Sequence, residues 1–132
     1  MSATPSTTIL ETRGLSAAYG HAQVLFGVDL QLRAGEVVAL MGRNGAGKST
    51  TLKAIMGLVP ALSGSVTFEG EDVSGWQPFR IARLGLGYVP EDRRIFTDLT
   101  VYENLEVGRK SAAGAPGKEP WSLDRLFAIF PN

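Results

Sequence analysis

The chain has 132 residues, 44% of them apolar and 20% charged, with thirteen basic and thirteen acidic side chains and no cysteine. That length and balance point to one compact globular domain, and the absence of a basic excess argues against nucleic acid or an anionic membrane surface as a direct partner. Disulfides, thiolate chemistry and cysteine–zinc centres are excluded, and no apolar run approaches the roughly 18 residues of a membrane span.

Met1 to Thr8 is rich in Ser, Thr and Pro and has neither a basic start nor an apolar core; it reads as a flexible leader, not a signal peptide. Ile9 to Leu15 is expected to form a first strand, closed by a turn at Ala18-Tyr19-Gly20. Val28, Leu30 and Leu32 alternate with polar residues as in a half-buried strand, and Ala34-Gly35 makes a tight turn. Val37 to Met41 is a continuous apolar run, expected as a strand buried on both faces. From Lys48 the apolar residues Leu52, Ile55 and Met56 fall at helical spacing, and Gly57 stops the helix. Pro60 to Gly64 reads as a turn, Val66 and Phe68 as one face of a short strand, and Gly70-Glu71-Asp72 as the next turn.

Pro78 can open a helix running to Leu84. Gly87 to Val89 is expected as a short strand stopped by Pro90. Thr100 with Glu103 three positions on makes a capping box for a helix through Leu105 and Val107. Ser111 to Pro120 is a Gly-, Pro- and Ala-rich loop, and Trp121 to Phe130 carries a helical apolar stripe at Leu123, Leu126, Phe127 and Phe130. A striped helix that finishes on Pro131-Asn132 with nothing after it to pack against favours a fragment of a larger domain.

The chemistry concentrates between Gly42 and Thr50. Gly42-Arg43-Asn44-Gly45-Ala46-Gly47-Lys48-Ser49 fits G-x-x-x-x-G-K-[ST] in full and lies between an expected strand and an expected helix, the context this motif requires. Glycines let several backbone N–H groups converge on one anion, and the helix starting at Lys48 aims the positive end of its dipole at the same point. Lys48 can reach the β- and γ-phosphates of a nucleotide, Ser49 offers a hard oxygen to Mg²⁺, and Thr50 can add a donor to the α-phosphate. The motif implies ATP with Mg²⁺.

Three further stretches narrow the reading: Tyr19-Gly20 before the loop, Gly87-Tyr88-Val89-Pro90-Glu91 after it, and Leu99-Thr100-Val101-Tyr102-Glu103-Asn104-Leu105. In this order and spacing the chain, from about Ile9 to Asn132, resembles the ATP-binding subunit of ABC transporters. The run Gly87 to Phe96 is similar to the subfamily serving branched-chain amino acid importers. The resemblance implies an α/β fold, a P-loop NTPase-type core with an N-terminal antiparallel β portion, incomplete because the C-terminal part of the domain is missing. Residues 1–8 would be the leader and 9–132 the N-terminal part of the ATP-binding domain, truncated before the signature loop. Tyr19 would stack on adenine, a role suited to a flat aromatic face, while His21 beside it has no role. Gly42, Arg43, Asn44, Gly45, Ala46, Gly47, Lys48, Ser49 and Thr50 would bind ATP. Glu91 stands where many members of the family carry glutamine; as a hard oxygen ligand it could meet Mg²⁺ directly or through water. Asp92, Arg93 and Arg94 form either a solvated charged face or part of a contact with the transmembrane partner.

The implied partners are a second ATP-binding subunit, paired head to tail, and transmembrane permease subunits met through Glu91 to Leu105. That placement makes the subunit cytoplasmic and peripheral on the inner face of the membrane, with no insertion of its own and no nucleic acid. The family's signature loop, the strand ending in a magnesium-supporting aspartate, the catalytic glutamate after it and the γ-phosphate-sensing histidine do not occur in this sequence. No catalytic residue is therefore assigned, and the chain by itself is expected to bind ATP but hydrolyse it negligibly. The alternatives are a soluble, non-transport ABC ATPase, a small P-loop kinase, for which no acceptor-site residues can be named, and a remnant that binds nucleotide without catalysis or does not fold.

Overall fold

The computed structural model describes residues 7–45, 47–92, 94–109 and 121–131. The chain divides into two compact units, Met1–Val89 and Pro90–Asn132. In the first, β1 (Thr8–Tyr19) and β2 (Ala22–Arg33) form a long antiparallel hairpin, followed by α1 (Lys48–Ile55), β3 (Ala61–Phe68), β4 (Glu71–Asp72) and α2 (Pro78–Leu84). The strands form a single antiparallel sheet in the order β2-β1-β3-β4.

Alternation puts the apolar residues of the sheet on one face. Leu10, Leu15, Ala17, Leu25, Val66 and Phe68 are buried there, against Ala54, Ile55 and Met56 of the α1 end and Val73 and Ile81 around α2. Thr12 is buried among them because its hydroxyl donates to the Val28 carbonyl at 3.0 Å, which removes the cost of an unpaired polar group. α1 stops in a Schellman arrangement, with Gly57 N–H donating to Ala54 O and Leu58 N–H to Lys53 O, so the orphan carbonyls of its last turn are used.

β1 is not straight. Its pairing shifts register between Thr12 and Leu15 on the β2 side and between Arg13 and Ser16 on the β3 side. Side chains of the neighbouring strand fill in for the broken ladder: Gly14 N–H donates to Asp29 Oδ1 at 2.7 Å and Gly27 N–H to Ser16 Oγ at 2.9 Å. Opposite this bulge Gly64 has φ 89°, and a Cβ there would stand 2.3 Å from the Gly14 carbonyl oxygen. Only glycine fits so close an approach of two backbones in that conformation.

The structure corrects several expectations. Thr8, assigned to the leader, opens β1, and its partner is Arg33; residues 1–6 lie outside the described residues. Pro60 to Gly64 is not a turn: the chain turns earlier, over residues 56–59, and β3 starts at Ala61 and runs through Gly64 by pairing with β1. The second turn is Glu69-Gly70, and Glu71 and Asp72 form β4. Val37 to Met41 and Gly87 to Val89 are not strands; Val37 and Met41 are almost fully exposed, at 96% and 88%. A strand of either kind exists only through a neighbour's backbone, and among the described residues nothing pairs with these two stretches.

In the second unit, α3 (Val101–Val107) and α4 (Leu123–Ile129) begin at side-chain caps. Thr100 accepts from Glu103 N–H while the Glu103 carboxylate accepts from Thr100 N–H, the expected capping box. Ser122 accepts from Arg125 N–H. Neither helix buries a residue. All of the expected loop Ser111 to Pro120 and the last residue of the chain fall outside the described residues.

Candidate functional site: the phosphate loop

The loop reaches α1 through Gly47, the helix's N-cap, in a left-handed conformation with φ 92°. Gly47 is buried against β2: a Cβ on it would meet Leu25 Cδ2 at 2.8 Å. Its carbonyl receives both the N–H and the hydroxyl of Thr51, each at 2.8 Å, which pins the first turn of the helix. Thr50 and Thr51 are both buried. Gly47 carries no side chain to cap α1, and no side-chain cap bond is made there. The helix start is therefore left to offer its dipole and backbone donors outward.

Gly42, Arg43, Asn44 and Gly45 are exposed, and Ala46 lies outside the described residues. The Lys48 ammonium turns back over the loop and donates to the carbonyl oxygens of Gly42 and, at 2.9 Å, of Arg43. One cation thus closes the loop on itself and stands at its mouth, where an anion would sit. Ser49, the next residue on α1, is half-buried.

Tyr19 is the last residue of β1 and is 47% exposed. It pairs with Ala22, while Ala17, two residues before it, pairs with Leu25. Since Leu25 is the residue against Gly47, Tyr19 lies about 7 Å along the strand from that contact. The hairpin tip and the loop-to-helix junction are thus neighbours through β2. His21 is exposed in the turn of the same hairpin.

Glu91 belongs to the other unit and is exposed. Asp92 beside it pairs with Arg94 at 3.2 Å across solvent; Arg93 is outside the described residues. No group of three or more His, Cys, Asp or Glu side chains is arranged to hold a metal ion among the described residues. The donor set fits Mg²⁺ only in the way that ion usually binds with nucleotides, through phosphate oxygens, water and one or two protein oxygens, here with Ser49 as the hydroxyl.

A cleft of about 630 Å³ lies elsewhere, between the C-terminal end of α1, β3 and α2, bordered by Ile55, Gly57, Val66, Val73, Trp76 and Ile81. It holds none of the loop residues, and the loop's chemistry does not depend on it. The sequence reading missed Leu25, Thr51 and Asn104. Thr51 could have been found, since a threonine at the fourth helical position can bond back to the carbonyl four residues earlier. Leu25 gave no local signal. The Asn104 side chain accepts from Phe96 N–H and donates to the carbonyls of Phe96 and Thr100; its place early in a helix, where asparagine is unfavourable, was the available hint.

The ABC transporter family profile matches residues 25–129, and the chain belongs to that family. It is 46% identical over 120 residues to the high-affinity branched-chain amino acid transport ATP-binding protein BraG of Pseudomonas aeruginosa, covering 89% of this chain and 50% of that protein. It is 38% identical to the probable branched-chain amino acid transport ATP-binding protein LivF of Archaeoglobus fulgidus, covering 94% and 52%. A solved nucleotide-free ATP-binding cassette from an ABC transporter superposes with a TM-score of 0.68 at 31% identity, over 92% of this chain and 46% of that one. The fold class is that of a P-loop NTPase-type ATP-binding cassette in incomplete form. The chain spans about half the length of these two curated relatives. No helix is long and apolar enough to cross a membrane among the described residues.

Proposed function

We propose that the chain is the N-terminal part of the ATP-binding subunit of an importer for amino acids, of the branched-chain class. The carrying observation is the loop-to-helix junction: Gly47 as a left-handed N-cap, the uncapped start of α1, and Lys48 drawn over the carbonyls of Gly42 and Arg43. That arrangement suits an anion at the N-terminus of a helix. Gly42 to Thr50 would hold the phosphates, with the buried Thr50 contributing its backbone, and Tyr19 would stack on adenine. Ser49 would ligate Mg²⁺, and Glu91 would reach it directly or through water. Bound Mg²⁺ would neutralise charge on the phosphates.

Amino-acid import rests on resemblance. A ribose import ATP-binding protein, RbsA of Lactococcus lactis, is also 39% identical, over 76% of this chain. The branched-chain relatives BraG and LivF match over 89% and 94% of it, and they favour the amino-acid reading. In the complete subunit, a second ATP-binding subunit would pair head to tail, and permease subunits would dock on Glu91 to Leu105, holding the protein at the cytoplasmic face.

The test is calorimetric titration of the chain with Mg-ATP. Saturable binding that Lys48→Ala removes is the expected result, with steady-state phosphate release no higher than that of the variant. Equal binding by Lys48→Ala would overturn the loop's role, and release above the variant's level would overturn the expectation that the chain alone is inactive.

A further inference from the structure

α3 presents a physical puzzle. A helix of seven residues that buries none of them is too short to hold itself in water. Phe96, Val101, Tyr102 and Val107 along and before it are each more than half exposed, and Leu105 is only half-buried, so burial of an apolar face contributes little.

What holds it is polar and local. The Asn104 side chain reads the backbone of the segment leading into the helix. Its Oδ1 accepts from Phe96 N–H at 2.9 Å, and its Nδ2 donates to Phe96 O at 3.1 Å, Leu99 O at 3.3 Å and Thr100 O at 2.9 Å. Phe96 is gripped at both its backbone N–H and its backbone C=O, as a β-ladder partner would grip it. The turn so closed is completed by Leu99 N–H to Phe96 O at 3.1 Å. The capping box adds Thr100 N–H to Glu103 at 2.7 Å and Glu103 N–H to Thr100 Oγ1 at 3.2 Å.

We propose that Asn104 is the positioning residue of the docking element: its amide fixes Phe96–Thr100 against the first turn of α3, so that Phe96, Val101 and Tyr102 are presented in one preformed arrangement. This rests on the proposed docking of permease subunits to Glu91–Leu105. Order without burial is what such a surface requires, because apolar side chains held in place before contact lose less conformational entropy on binding. The grip uses the amide's two kinds of hydrogen-bonding atom. Aspartate has the same shape but no N–H donors, and its carboxylate would face three carbonyl oxygens.

The test uses Asn104→Asp and Asn104→Ala in the full chain. Backbone order parameters of residues 96–100 are expected to fall from about 0.85, a rigid backbone, to below about 0.6 in both variants. Residues 47–55 and the affinity for Mg-ATP should be unchanged. Co-assembly with detergent-solubilised permease subunits of the Pseudomonas aeruginosa branched-chain amino acid transporter should fall about tenfold or more, the weight of roughly one net hydrogen bond. Wild-type order at 96–100 in either variant would overturn the clamp. A loosened segment that still assembles at the wild-type level would overturn its part in docking. Failure of the wild-type chain itself to assemble would overturn the docking reading beneath it.

Discussion

Lys48 and Tyr19 would meet the nucleotide at opposite ends, and substitutions at the two should differ in kind. Lys48→Ala removes the cation at the loop's mouth and also its bonds to the Gly42 and Arg43 carbonyls. It should abolish Mg-ATP binding and loosen residues 42–45, both readable by NMR on one sample. Tyr19→Ala removes the proposed stacking ring together with its hydroxyl and should weaken binding by about 1 kcal/mol, or several-fold. Tyr19→Phe should bind as the wild type does, because its ring is kept. Equal loss in Tyr19→Phe and Tyr19→Ala would mean that the hydroxyl, not the ring, makes the contact.

Two glycines separate function from fold at the same scale. Gly64 faces the Gly14 carbonyl, a backbone atom that cannot swing aside, whereas Gly47 faces the end of the Leu25 side chain, which can. Both have positive φ. Gly64→Ala is expected to lower the unfolding free energy by about 2 kcal/mol or more, read from the urea midpoint. Gly47→Ala should cost less stability and yet damage nucleotide binding more, since it displaces the junction on which Lys48 is carried.

At the scale of elements, α3 carries its own pH dependence. The Thr100 N–H, and then the Thr100 hydroxyl, hold the Glu103 carboxyl below the usual glutamate range. A depressed folded value means that the bond's contribution is present above the ordinary glutamate value of about 4.3 and is lost as pH falls through the lowered one. The Thr100 and Glu103 amide resonances should therefore hold their positions from neutral pH down to about 5 and move toward disordered values below about 4. Glu103→Gln, which can still close a capping box, should flatten that dependence without unfolding the helix.

The same elements show what a sequence can carry. α2 from Pro78 to Leu84, the capping box at Thr100, and the α1 stop at Gly57 are all written in residues within one turn of the feature they cause, and the structure has each. The phosphate-loop motif is equally local, which is why Gly42 to Thr50 could be singled out. What failed was non-local. The register slip at Gly14–Ser16 extends β1 to Tyr19 and draws Gly64 into β3, and nothing in the sequence near Gly64 distinguishes that from a turn. Leu25 escaped notice for the same reason, since its contact with Gly47 lies across a loop. Asn104 is local but was legible only as an unfavourable helix residue, not as a grip on Phe96.

At the scale of the molecule, Val37–Met41 has the composition of an interior parallel strand, apolar on both faces. In the structure Val37 and Met41 are bare, Val38 and Leu40 partly so, and no described strand pairs with the stretch. Five consecutive apolar residues with open backbone donors and acceptors are a template for another copy. The chain should therefore self-associate with rising concentration, seen as a growing sedimentation coefficient. A Val37→Lys, Met41→Lys double variant should remain monomeric. The urea midpoint of that variant should match the wild type, because neither side chain contributes to the core of Leu15, Leu25, Ile55 and Ile81. A lowered midpoint would instead show the stretch packed in solution, and unchanged self-association would move the sticky surface elsewhere, with the exposed Phe96 and Val101 the next apolar residues to replace.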